Sequence, residues 1–149
     1  MQYSQRENLR ITSEIILGVV FLACGCTIYL LFRSKSLNIY QWCFALGLSN
    51  FIDILREHVI SWNIPIFVRY SLPDGLYSAA YIVVIDAIWY NVNRIQKYAI
   101  VSFIPFIATC NEVLQHFGLV KGTFDLYDLL CYTLPLLIYL SIKVTKNRI

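Results

Sequence analysis

The sequence predicts an all-α fold, namely a polytopic bundle of four or five transmembrane helices in a single domain, residues 1–149. Of the 149 residues, 58% are hydrophobic and only 14% are charged, whereas a soluble domain carries about 25% charged residues. The mean hydropathy is strongly positive. A water-soluble core that buried this much apolar surface would leave too few polar groups to cover the outside. Lipid as the solvent removes this difficulty, so the composition predicts an integral membrane protein.

A helix needs about 20 mainly apolar residues to cross a bilayer, and the chain has several such stretches. The first, residues 11–32, ends before two basic residues and lacks a cleavage signal, so we expect it to stay in the membrane as an anchor. Residues 37–55 have a narrower apolar face and either span the membrane or lie in its interface. Prolines and a glycine in residues 61–75 predict a break in helical structure, although Ser71, Pro73 and Asp74 also suit a turn that leads into the following helix. The remaining predicted spans are residues 76–92, 98–117 and 126–142.

The distribution of Lys and Arg predicts the orientation, because cytoplasmic loops are enriched in these residues. With or without a span at residues 37–55, one side of the membrane has seven Lys and Arg residues and the other has five. Both versions place the C-terminus and the loop at Arg94 in the cytoplasm. The chain is therefore predicted to be a multi-pass protein of the inner cell membrane.

Glu14 and Asp86 are the acidic residues of the predicted spans 11–32 and 76–92. Glu14 lies one turn after the start of the first span, where it either reaches the lipid headgroups or couples proton movement to transport. Asp86 lies ten residues after Leu76, about 15 Å along a helix and near the middle of a ~30 Å hydrocarbon core. A carboxylate at that depth costs at least ~2.5 kcal/mol without a partner. Asp86 is either neutral and hydrogen-bonded to a Ser, Thr or Tyr of a neighbouring helix, or part of a polar path.

A polar junction joins the last two predicted spans. Glu112, Gln115 and His116 share one helix face near the end of the fourth span, because they are spaced i, i+3 and i+4. Asp125 and Asp128 are spaced i, i+3 at the start of the fifth. The short loop between the spans makes the two helices antiparallel neighbours. Acidic residues of the two helices are therefore expected at similar depth.

Three more charged residues, Arg69, Asp74 and Lys121, are predicted on the same membrane face. One interpretation is a shallow polar pocket that holds a ligand. Its predicted residues are Arg69, Asp74, Glu112, Gln115, Lys121, Asp125 and Asp128. The alternative is a purely structural hairpin, in which Asp125 caps the last helix and Glu112 forms an ion pair with Lys121 or Arg69. No metal-ligand spacing accompanies His116, so no metal or other cofactor is predicted.

The acidic pattern also resembles a known family. Asp74 begins one span, Glu112-Val-Leu-Gln115 ends the next, and Asp128 with Tyr132 four residues later begins the last. This arrangement resembles that of the VanZ-like family of small integral membrane proteins, named for a member that confers low-level teicoplanin resistance. Tyr132 stands where the family has asparagine. The resemblance covers residues 71–139 and implies a membrane protein of the cell envelope with a shared hairpin architecture.

Three functions follow as hypotheses. The first is a non-enzymatic, VanZ-like envelope protein that contacts membrane lipid and binds a lipid-linked or glycopeptide ligand through the polar pocket. The second is a small ion or drug transporter or channel that uses Glu14 and Asp86 and forms a homo-oligomer to enclose a pathway. The third, an intramembrane enzyme, finds less support because the sequence has none of the HExxH or GxSxG motifs. The small, dispersed charge of +3 predicts no nucleic-acid partner.

Overall fold

The computed structural model describes residues 2–59 and 61–146, and the side chains of residues 5–59 and 61–145. Two residues in the count of Lys and Arg on each side of the membrane lie outside this part. They are Arg148 and, for its side chain, Lys146. The described residues form helices and no strand, which confirms the predicted all-α class. The helices are α1 (Gln2–Phe32), α2 (Asn38–Ala45), α3 (Ser49–Val59), α4 (Ile66–Tyr70), α5 (Leu72–Ile88), α6 (Arg94–His116) and α7 (Leu126–Lys146).

Three of these helices, α1, α6 and α7, are long and apolar enough to cross a membrane. Their outer surfaces carry large apolar side chains, of which Val19, Phe106 and Leu137 are each more than half exposed. The buried side chains, in contrast, include the carboxylates of Asp86 and Glu112. An apolar exterior around buried polar groups is the arrangement expected where lipid is the solvent.

The central helix is α5, which contacts α1, α6 and α7. Glycines allow its closest approaches. A Cβ atom at Gly18 of α1 would overlap the side chain of Val84, and one at Gly25 would lie 2.9 Å from Cε1 of Tyr77. At Gly75 of α5, an added Cβ would lie 3.2 Å from Cβ of Cys131 in α7. Small residues let membrane helices pack backbone to backbone, so these positions determine which faces of α1 and α7 meet α5.

Residues 37–55 do not form a spanning helix. Gly47, with a φ of 75°, interrupts them, because glycine adopts this left-handed conformation without steric cost. The two pieces, α2 and α3, have 8 and 11 residues, or about 12 and 16 Å of helix. Neither length reaches across a ~30 Å hydrocarbon core. Residues 37–55 therefore form two short helices rather than one long one.

Two other predicted boundaries need correction. Residues 61–75 were expected to break helical structure, yet α4 lies within them, and α5 begins at Leu72 rather than Leu76. The physical reason is that Pro65 precedes α4 and Pro73 lies in the first turn of α5, where the missing N–H of proline does no harm. Because α5 ends at Ile88 rather than Val92, Asp86 lies near the end of its helix and not at its middle.

The long helices alternate in direction, so the bundle has two chemically different ends. We call one the basic end, which is lined by Arg10, Arg94, Lys97 and Lys143. We call the other the acidic end, which contains Asp74, Glu112, Asp125 and Asp128. Arg10 and Arg33 belong to opposite ends of α1 and are 23 residues apart, about 34 Å along the helix. This length matches a ~30 Å hydrocarbon core.

Candidate functional site

The four predicted carboxylates converge at the acidic end. Asp74 comes from the first turn of α5, Glu112 from the end of α6, and Asp125 and Asp128 from the start of α7. The backbone N–H of Asp125 donates to Oε2 of Glu112 at 3.5 Å. The charges of Asp128, Asp125 and Asp74 all act on the Glu112 carboxylate. The two helices of the predicted hairpin therefore bring together residues that are separate in sequence.

Local sequence explains why the hairpin closes in this way. Oδ1 of Asp125 accepts a hydrogen bond of 2.8 Å from the backbone N–H of Tyr127, so the predicted cap of the last helix is confirmed. Gly118, with a φ of 68°, follows the end of α6, as is common at helix C-termini. The Gln115 side chain lies against Gly122, where an added Cβ would come within 2.6 Å of Oε1. Gln115 thus covers the connecting loop.

A cation and a tyrosine that the sequence reasoning missed, together with Tyr132, complete the acidic end. Tyr29 of α1 donates its hydroxyl to Oδ1 of Asp74 at 2.9 Å, and Arg33 donates from Nη2 to the Tyr29 oxygen at 3.2 Å. The Arg33 charge also acts on Asp74 and Asp128. Tyr132 of α7 interacts with the Asp74 carboxylate. The spacing i, i+4 places Tyr29 and Arg33 on one face of α1, but no sequence signal indicated that this face meets α5.

Arg69 and Lys121, the two cations predicted to pair with Glu112, do not form that ion pair in the described part of the chain. The Arg69 guanidinium carbon lies 5.8 Å from the ring centroid of Phe32, and Lys121 is exposed in the α6–α7 loop. Within the described residues neither forms an ion pair with Glu112. The predicted Glu112–Lys121 or Glu112–Arg69 pair is therefore wrong, because Glu112 is only 6% exposed whereas Lys121 lies in the solvated loop.

Several buried polar atoms at the acidic end have no hydrogen-bond partner among the described residues. They are Nε of Arg33, Nε of Arg69, Oγ of Ser71 and Oδ1 of Asp128, and Ser71 is completely buried. An unsatisfied buried polar group costs about 1–3 kcal/mol, so such atoms are rare and usually have a reason. The four atoms belong to the end of α1, the segment around the start of α5 and the first turn of α7, and the charge of Arg33 acts on Asp128. The arrangement can bind a polar molecule that carries both donors and acceptors.

The other two predicted residues, Glu14 and Asp86, lie at the basic end. Glu14 forms an ion pair of 2.8 Å with Arg10, one turn earlier in α1. Asp86 is held by Lys97 and Lys143, with N···O distances of 2.7 Å to each. The expected tyrosine partner of Asp86 is confirmed, since Tyr139 donates a hydrogen bond of 2.6 Å. The two lysines were not expected, because the sequence placed Asp86 too deep for their reach.

The fold and its apolar exterior define a class of protein, namely an all-helical bundle with at least three helices able to cross a membrane. No protein-family model, curated protein or solved structure matches this chain. The resemblance to the VanZ-like family therefore stays a prediction. Among the described residues no group of three or more His, Cys, Asp and Glu side chains could hold a metal ion. Any functional assignment must come from the charged ends of the bundle.

Proposed function

We propose that the chain is a four-span membrane protein of the cell envelope that binds the polar part of a lipid-linked or glycopeptide ligand at its acidic end, without catalysing a reaction. The fourth span is α5, whose 17 residues extend about 25 Å through the centre of the bundle. With four spans, both termini and the α5–α6 loop share one side. The excess of Lys and Arg there makes that side cytoplasmic, so the acidic end faces outward.

The observation that carries this proposal is the convergence of unsatisfied donors and acceptors at the acidic end. Carboxylates accept hydrogen bonds from hydroxyl and ammonium groups, which sugars and amino sugars supply. Arg33 and Arg69 each have a buried Nε–H without a partner in the described chain, and arginine binds phosphate and carboxylate groups well. A ligand with hydroxyl or amino groups next to an anionic group meets both requirements.

The residues proposed to contact the ligand fall into two sets. Glu112, Asp74 and Asp128 would accept hydrogen bonds from hydroxyl or ammonium groups. Arg33 and Arg69 would meet the anionic group. Gln115 and Asp125 act indirectly in this proposal, since Gln115 lies on the loop and Asp125 caps α7. They hold the hairpin in the shape that places Glu112 beside Asp128.

Binding measurements on two conservative variants test the proposal. Teicoplanin and an amino-sugar glycolipid serve as probes, and purified full-length protein is titrated with each. Glu112→Gln and Asp128→Asn are expected to weaken binding of one probe about 10- to 100-fold, because each removes a charge-assisted hydrogen bond. Glu57→Gln, which neutralises an exposed acid of α3, is the control and should bind like the wild type. Wild-type affinity in both test variants, or no binding of either probe by the wild type, would rule the proposal out.

A cellular measurement complements the titration. Cells that express the protein are compared for teicoplanin susceptibility with cells that express Glu112→Gln at equal membrane abundance. The proposal expects the variant to resemble cells without the protein. Equal susceptibility of wild-type and variant cells, both differing from cells without the protein, would show that the effect does not depend on the acidic end.

A further inference from the structure

The basic end contains a pocket that the proposed function does not use. Its volume is about 280 Å³, just below the range of about 300–1,000 Å³ typical of small-molecule sites. Four cationic side chains line it, one from α1, two from α6 and one from α7. They are Arg10, Arg94, Lys97 and Lys143. The only carboxylate that lines it among the described residues is Asp86.

The internal charge pairs do not neutralise this pocket. Asp86 is shared between Lys97 and Lys143, so one negative charge faces two positive ones. Glu14 offsets Arg10. Arg94 is exposed and forms no ion pair with any carboxylate of the described residues. The four lining cations and the carboxylates ion-paired with them therefore leave two positive charges, and the start of α6 adds the positive end of a helix dipole. Glu7 lies at the edge of the pocket, where it accepts a hydrogen bond from Tyr90 and adjoins both Arg6 and Arg10.

The position of the pocket suggests which anion could balance its excess positive charge. Arg10 immediately precedes the apolar stretch of α1, Arg94 begins α6, and Lys143 is near the end of α7. These are the points at which spanning helices leave the hydrocarbon, where lipid phosphates lie. Arginine and lysine side chains in a pocket between helix ends are the chemistry that retains anionic headgroups.

We infer that this pocket, lined by Arg10, Arg94, Lys97 and Lys143, is a binding site for a phosphate group, supplied by the headgroup of an anionic phospholipid in the adjacent leaflet. Arg94 makes the main contact, because the two lysines are held by Asp86 and Arg10 is paired through Nε with Glu14. Arg10 contributes its other guanidinium N–H groups. Asp86 has a second role in this site. By holding both lysines, it limits the positive charge and therefore the affinity for the anion.

Thermal unfolding of the purified full-length protein in detergent tests this inference. Phosphatidylglycerol, phosphatidylcholine and inorganic phosphate are titrated separately. Phosphatidylglycerol is expected to raise the Tm of the wild type well beyond the effect of phosphatidylcholine, since a ligand that binds only the folded state stabilises it. Arg94→Gln should weaken the apparent affinity, and Arg10→Gln with Arg94→Gln should weaken it at least about tenfold. If inorganic phosphate reproduces the effect with the same dependence on the arginines, the site takes free phosphate rather than a headgroup.

Two further variants make the result decisive. Lys35→Gln removes an exposed positive charge at the opposite end and should keep the wild-type response to phosphatidylglycerol. Asp86→Asn should strengthen that response, because it releases both lysines. Within the described part of the chain Arg94 forms no ion pair, so Arg94→Gln is expected to fold normally. The inference is overturned if none of the three additives distinguishes the wild type from the double arginine variant, or if Asp86→Asn weakens the response to phosphatidylglycerol in a folded protein.

Discussion

The two ends of the bundle each contain a buried carboxylate, and they differ in how its negative charge is compensated. Each has a buried carboxylate near a helix end, Asp86 at 5% and Glu112 at 6% exposure. Asp86 is surrounded by two ammonium groups and a hydroxyl. Glu112 accepts one long backbone hydrogen bond and is surrounded by the charges of three other carboxylates. A buried charge with complete compensation belongs to the architecture, whereas one left with like charges indicates a functional site.

The largest expected effect is at the compensated carboxylate. Asp86→Asn should lower the free energy of unfolding by about 3–5 kcal/mol, because it leaves two largely buried ammonium groups without a negative partner. Unfolding by SDS titration in detergent without anionic lipid measures this. Tyr139→Phe, which removes only the hydrogen bond to Asp86, should cost less, about 1.5–3 kcal/mol. If Asp86→Asn were as stable as the wild type, the contrast between the two ends would fail.

The acidic end should respond in the opposite direction. Glu112→Gln should leave the free energy of unfolding unchanged or raise it by about 0.5–1 kcal/mol. The amide oxygen still accepts the Asp125 N–H, while the repulsion from neighbouring carboxylates disappears. The same SDS titration measures this change. A loss of stability comparable to that of Asp86→Asn would mean that Glu112 has a structural role after all.

An exposed ion pair at the acidic end should have the smallest effect. Lys35 and Asp53 lie 2.8 Å apart, with more than a third of each side chain exposed. The Lys35 ammonium and the Tyr40 hydroxyl lower the pKa of Asp53 from its ordinary value of 3.8. Since the folded pKa is the lower one, the stabilisation is complete at neutral pH and is lost as the pH falls below about 4. Because the pair is exposed, Asp53→Asn should lower the Tm only slightly at pH 7 and even less at pH 3.5, where the stabilisation is already being lost. Thermal unfolding at both pH values measures this.

A clear drop in Tm for Asp53→Asn at pH 7 would contradict this expectation. It would indicate that the hairpin formed by α2 and α3 depends on the pair more than its exposure suggests. Arg56 then offers the natural comparison, because it donates to the backbone oxygens of Leu30 and Arg33 at 2.7 Å. Those two bonds anchor α3 to the end of α1 without any contribution from Lys35.

Much of the acidic end was predictable from local sequence. The spacing of Glu112 to Asp128 across a short loop indicated a hairpin, and the capping role of Asp125 followed from its position before the last helix. Arg33 and Tyr29 could not be found in the same way. They reach the site from the end of α1, and Tyr29 is 45 residues away from Asp74 in the sequence. No pattern within α1 or α5 alone indicates that the two helices meet there.

The misplacement of Asp86 has a similar origin. Hydropathy identified the segment but not its ends, because residues such as Trp89 and Tyr90 are compatible with either a span or an interface. The four-residue shift of α5 moved Asp86 from the expected middle of the membrane to the basic end. There it came within reach of Lys97 and Lys143. A carboxylate that was expected to be either neutral and hydrogen-bonded or part of a polar path is thus ion-paired.

By itself, the sequence predicted lipid as the solvent and determined the helical class and the polar junction between the last two helices. Composition, hydropathy and i, i+4 spacing are properties of single segments, and they need no knowledge of neighbours. Only the tertiary structure decided which charges meet. Gly18 and Gly25 let α1 approach α5 closely enough to bring Arg33 to the acidic end and Arg10 to the basic end. Such contacts depend on how whole helix surfaces fit together, which a pattern within one helix cannot specify.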